Sequence, residues 1–182
     1  SCWYTGLPHM YWRAGFGITT GGSDEAFEQS HALGGYLQTA QRAEVAAILA
    51  ALQMVPVVPL EVRTDSTYAQ TGTVGLIHGY APSQEWEHRD LWMSIQQQLG
   101  ERLGGAFSPG WAAPDASDFS IGKVKGHIRE DDVTEGRHAR HDKVGNDRAD
   151  KVANQGTKKH PCMKAAVQEY QDLARQSRHN VY

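Results

Sequence analysis

Three acidic residues occupy positions from which carboxylates can do chemistry: Glu44 in a run with helical spacing, Asp65 at the end of a short alternating stretch, and Asp150 in a later helical stretch. Each alone is an ordinary surface acid. Together they supply what a hard divalent cation such as magnesium needs, several carboxylate oxygens converging on one point. Without a cation, clustered acids repel one another and some are driven to protonate. The three are therefore a candidate metal site, provided the fold brings them together. His138 and His141 stand at i, i+3, but without a matching cysteine pair they do not make a zinc site.

Periodicity indicates the elements that would position these residues. Residues 13–20 combine β-formers with glycines and read as a strand, 21–24 as a turn, and 25–33 as the return strand, closed by Gly34-Gly35. Thr39 is a plausible N-cap for a helix carrying Val45, Ile48, Leu49 and Leu52, which Pro56 and Pro59 stop. Residues 60–64 alternate as a strand does, and Asp65-Ser66 falls where that strand ends and a helix begins. Strand exits and the helix ends that follow them can gather on one rim of an α/β sheet.

Further along, residues 87–103 repeat Leu91, Ile95, Leu99 and Leu103 as a second helix, closed by Gly104 and Gly105. A long surface loop is expected over 108–118 and a strand over 119–125. Residues 128–143 are polar and lack apolar periodicity, so a flexible loop is expected there. Residues 146–154 read as a short helix with Ala149, Val152 and Ala153 inward, and 161–182 as either a last amphipathic helix or a linker. The order of strands and helices predicts a mixed α/β layered structure.

The 182 residues, 40% hydrophobic and 21% charged, suit one globular domain, taken as 1–156, followed by a tail or helix over 157–182. A formal charge of −3 argues against nucleic-acid binding by bulk positive charge. Between 121 and 159, however, lysines and arginines alternate with acids, as either a local polyanion footprint or a solvated face. Cys2 and Cys162 lie at opposite ends without a CxxC spacing, so no disulfide framework is implied and an intracellular setting, cytoplasm or nucleus, is expected. No signal peptide and no membrane-spanning apolar run is visible.

Thr39-Ala40-Gln41-Arg42-Ala43-Glu44 and Thr64-Asp65-Ser66, followed by Asp90-Leu91-Trp92, by Val124-Lys125-Gly126-His127 and by Gly145-Asn146-Asp147-Arg148-Ala149-Asp150-Lys151-Val152-Ala153, resemble in order and spacing the motifs of type 1 ribonucleases H. The last pair is the most specific part. The resemblance covers about residues 1–156 and implies a mixed sheet flanked by helices. It also implies hydrolysis of the RNA strand of RNA–DNA hybrids with two Mg²⁺ ions, Mn²⁺ being the alternative.

Carried over by motif, Glu44, Asp65 and Asp150 become metal ligands and His127 a loop histidine that assists proton transfer or product departure. Gln41, Ser66 and Asn146 become substrate contacts, with 2′-hydroxyls as the feature that separates RNA from DNA. The family's first aspartate has no counterpart here. The start at Ser1 aligns with the family if an Asp-Gly pair stood just before it, which implies truncation, a missing central strand and impaired cleavage. The short acidic stretch 79–87, where relatives carry a basic protrusion, predicts weak hybrid affinity. With the long stretch after His127, it points to association with a reverse transcriptase. The rival reading is a non-catalytic module of the same fold that binds nucleic acid or protein.

Overall fold

The computed structural model describes residues 2–20, 27–55, 58–103, 118–161 and 163–179. The turn expected at 21–24 and most of the loop expected at 108–118 lie outside the described residues. Strand β1 (Cys2–Trp3) leads through a 3-10 turn (His9–Tyr11) into β2 (Arg13–Thr19), which runs antiparallel to β3 (Glu28–Ala32). Helix α1 (Ala40–Met54) follows, then β4 (Leu60–Thr64), α2 (Thr67–Ile77), α3 (Arg89–Arg102) and β5 (Phe119–Lys123). The chain closes with α4 (Glu130–Thr134), α5 (Arg140–Lys158) and α6 (Lys164–His179).

The strands form two small sheets, β1-β2-β3 antiparallel and β4-β5 parallel. Beside β2, β1 contributes only the pairs Cys2 with Ala14 and Trp3 with Arg13. Among the described residues no ladder joins β1 to β4. The mixed α/β class expected from the element order holds.

The main core lies where α1, α2 and α3 cover the β4-β5 pair. Val45, Ile48 and Leu52 from α1 meet Leu76 from α2, Trp92, Ile95 and Leu99 from α3, and Phe119 from β5, all buried. Trp92 stands edge-on to Tyr68 and Trp86 at centroid distances of 5.7 and 5.8 Å, and its indole N–H donates to the Tyr68 hydroxyl at 3.2 Å. The aromatic body is thus buried and its one polar atom satisfied.

Helix α5 packs on the β2-β3 hairpin almost backbone to backbone, and glycine makes this possible. A Cβ on Gly15 would lie 2.1 Å from the Thr157 nitrogen, and one on Gly17 would lie 2.6 Å from the Ala153 nitrogen. On the helix side, a Cβ on Gly156 would lie 2.3 Å from the His31 carbonyl oxygen. The site-bearing helix is therefore seated by absent side chains.

Two expectations need correction. Residues 128–143 are not an irregular loop: they carry α4 and the first turn of α5, and the helix expected at 146–154 starts six residues earlier and ends four later. Apolar periodicity was the wrong signal, because polar bonds hold this segment. Asp132 accepts from the Arg129 backbone N–H at 3.0 Å, Arg63 bonds Asp142 at 2.8 Å, and Arg140 bonds Glu130 at 2.6 Å. The stretch after Pro161 forms α6, with Val167 buried and Tyr170 packed on Tyr11 at 5.3 Å. Helix α5 ends at Lys158 and buries Thr157.

Candidate active site

Glu44 sits in the second turn of α1. That helix is opened by Thr39, whose hydroxyl accepts from the Arg42 N–H at 3.1 Å, and is anchored by Ala43 and Val45 on either side of the glutamate. The half-buried Glu44 carboxyl is pushed above the usual carboxylate range, first by burial; a hydrogen bond from the Ser66 hydroxyl works against this, and the Asp65 charge adds to it. Ser66 has a second duty. Its oxygen accepts from the Ala69 N–H at 3.1 Å and caps α2. A buried hydroxyl committed on both sides positions Glu44.

Asp65 stands exposed between β4 and α2. Lys123, at the end of β5, donates to the Asp65 backbone carbonyl at 2.8 Å. The Val124 N–H continues the parallel ladder to the Thr64 carbonyl at 2.9 Å. The chain then turns through Gly126, where a Cβ would lie 3.0 Å from Asp65 Oδ2. Glycine lets the turn pass directly over the carboxylate.

Asp150 faces the same place from α5. Its carboxyl is also pushed up, by burial first and by the Asp65 charge second, while His127 pulls it down. His127 Nδ1 lies 3.7 Å from Asp150 Oδ2, and the ring is 90% exposed. The backbone of His127 is left-handed, at φ 53°. For a non-glycine residue that conformation costs about 1 to 2 kcal/mol, and such outliers concentrate at functional turns.

Asp65 is therefore the electrostatic centre of the group, since its charge acts on both Glu44 and Asp150. Among the described residues no three His, Cys, Asp or Glu side chains already stand close enough together to hold an ion. The donors still suit a divalent cation: all are hard carboxylate oxygens, and two of the three are held partly toward their neutral forms by burial and like charge.

The substrate-contact candidates are placed unequally. Gln41 is exposed on the first turn of α1, whereas Ser66 is buried and committed as described. Asn146 lies one turn before Asp150, and its Nδ2 is buried with no hydrogen-bond partner among the described residues. A buried amide donor left unpaired costs about 1 to 3 kcal/mol.

Sequence reasoning missed His88, which opens α3 at φ 59°, with Nε2 3.5 Å from the Thr39 hydroxyl and Nδ1 buried with no hydrogen-bond partner among the described residues. It also missed the pairing of four cations in the basic run. Lys125 and Arg137 bond Asp132, Arg140 bonds Glu130, and Lys143 bonds Asp147. Acids at short spacings in the same stretch were the available signal.

Comparison with known proteins bears on the family and the fold. The family model described as RNase H matches residues 9–158. The solution structure of the PFV RNase H domain matches with a TM-score of 0.56 and 27% identity, covering 86% of this chain and 89% of that one. The foamy viral protease-reverse transcriptase, solved in complex with an RNA/DNA hybrid, matches with a TM-score of 0.50 and 18% identity, covering 83% of this chain. This chain corresponds to only 21% of that protein, and at this identity the likeness shows the fold alone. No curated protein matches. With the motifs in order, the acids grouped around Asp65 and the family match spanning both, the chain belongs to the RNase H family.

Proposed function

We propose that this domain hydrolyses the RNA strand of RNA–DNA hybrids, using divalent cations held by Glu44, Asp65 and Asp150. The observation that carries the reading is the position of Asp65, whose charge bears on both other acids, with His127 above Asp150. Bound magnesium, or manganese in its place, would supply an activated water and charge stabilisation at the phosphodiester. The chain's own residues do the rest. Ser66 orients Glu44, Gly126 lets the turn close over Asp65, and His127 is an exposed imidazole able to take or give a proton beside Asp150. Asn146 offers an unpaired amide donor near the scissile region, and Gln41 offers a polar contact at the entry of α1 for a 2′-hydroxyl.

The pairing of Lys125, Arg137, Arg140 and Lys143 with acids supports weak hybrid affinity for the isolated domain, with a linked reverse transcriptase supplying the remainder. Cleavage of a labelled hybrid in Mg²⁺, compared with single-stranded and double-stranded RNA and with Asp150→Asn, tests the activity. Thermal melts with and without Mg²⁺ test the metal, because a ligand bound only by the folded state raises stability by about 2.7 kcal/mol at a hundred times its Kd. The second reading, a non-catalytic module of the same fold, is favoured by the three acids not closing into an ion-holding set. A folded chain that neither cleaves hybrid nor responds to Mg²⁺ would establish it.

A further inference from the structure

The turn that carries His127 has no obvious reason to hold still. The ring is 90% exposed, the residue sits in the left-handed region, and the neighbour on one side is a glycine. Both ends of the turn nevertheless meet at one atom. Asp132 Oδ2 accepts from Lys125 Nζ at 2.9 Å, two residues before His127, and from the Arg129 backbone N–H at 3.0 Å, two residues after it. The other oxygen, Oδ1, accepts from Arg137 Nε at 3.1 Å and Nη2 at 2.8 Å. The Asp132 carbonyl accepts from the N–H groups of Arg137 and His138 at 2.9 and 3.1 Å. Ile128 is 3% exposed and pins the middle of the turn from below.

We infer that Asp132 is a positioning residue for His127: its carboxylate closes the 125–129 turn like a staple and holds the imidazole over Asp150. Asp132 is 5% exposed, and both of its carboxylate oxygens are taken up by Lys125, the Arg129 N–H and Arg137. Its ionic partners are Lys125 and Arg137, with the Arg129 backbone N–H as the third donor, and charge-assisted bonds of this kind are roughly twice as strong as neutral ones. Arg137 braces the staple from outside, which gives the additional residues after His127 a purpose: they build the base on which the turn rests. This inference rests on the nuclease reading only for the use made of the imidazole, since the staple is a property of the turn itself.

The test uses the full chain. Amide exchange by NMR is followed in Asp132→Ala, Lys125→Met and Lys125→Arg. With Asp132→Ala, the amides of 126–129 should exchange about tenfold faster or more and the His127 ring resonances should shift, while α1 and β4 keep their protection. Lys125→Met removes one leg of the staple and leaves Asp132 held by Arg137, so it should loosen the same amides even if Asp132→Ala fails to fold; Lys125→Arg should restore them. Unchanged exchange at 126–129 in folded Asp132→Ala or Lys125→Met would overturn the inference.

In hybrid cleavage, Asp132→Ala should lower kcat with little change in KM and add no further loss on a His127→Ala background. Equal losses in both backgrounds would show that Asp132 acts independently of His127 and would also overturn the inference. If His127→Ala leaves cleavage unchanged while Asp132→Ala loosens the turn, the staple stands and it is the role of His127 in the nuclease reading that fails.

Discussion

Replacing Gly15 with alanine tests whether the backbone contact between β2 and α5 is what seats Asp150. The added methyl carbon would lie 2.1 Å from the Thr157 nitrogen, 2.5 Å from the Gly156 carbonyl carbon and 2.8 Å from the Thr157 Cα, all backbone atoms that cannot rotate away. Reaching an ordinary contact of about 3.4 Å requires α5 to retreat by roughly 1.3 Å or β2 to buckle. Forced overpacking of this kind costs about 1 to 3 kcal/mol. The smaller unfolded-state entropy of alanine returns only about 0.4 to 1 kcal/mol, so strain wins. For a domain of this size the melting temperature should fall by about 2 to 8 °C.

Asp150 lies seven residues before Thr157, about 10 Å along a rigid helix, so the displacement reaches the site. A misplacement of about 1 Å can cost roughly a hundredfold in rate. Thermal melts and single-turnover hybrid cleavage read the two effects separately. Gly122→Ala serves as the control, because its Cβ would meet nothing within 4 Å. A Gly15→Ala protein that melts and cleaves like the parent would refute the claim that this contact seats the site.

Asp150→Asn should melt higher than the parent in the absence of divalent ions. Burial and Asp65 raise the folded carboxyl above its unfolded value, so Asp150 favours the folded state when protonated and opposes it once the pH has risen through the folded pKa. The gain should therefore be largest at neutral pH and vanish near pH 4, about the unfolded aspartate value; in Mg²⁺ the order should reverse as the parent gains a ligand. Gly126→Ala should weaken Mg²⁺ binding with little loss of melting temperature, since the new Cβ presses on Asp65 Oδ2 at 3.0 Å; calorimetric titration measures it. Trp92→Ala should cost about 3 to 5 kcal/mol in urea unfolding, because it empties the centre of the α1–α2–α3 core. Hybrid binding should be weak and show a shallow salt slope, because Lys125, Arg137, Arg140 and Lys143 of the basic run are already ion-paired with neighbouring acids.

Local patterns were legible in the letters where the physics is local. The Thr39 cap, the i, i+3, i+4 spacing of α1 and the alternation of β4 each reflect a few adjacent residues, and each element stands where its pattern falls. The candidate acids were likewise readable, because a strand exit followed by a helix cap makes Asp65 conspicuous. Residues 128–143 escaped the same reasoning because their order comes from Asp132, Arg137, Lys125 and the Arg63–Asp142 pair, charges that recognise each other across turns rather than along a stripe.

What only the tertiary structure decided was which charges meet. No spacing rule reveals that Ser66 donates to Glu44, that Asp65 presses on acids from two different helices, or that Gly15 and Gly17 exist to admit α5. Sequence carries periodicity, which encodes the shape of single elements. Electrostatic coupling and close packing depend on distances between elements, and those are set when the hairpin, the helices and the parallel pair close around one another.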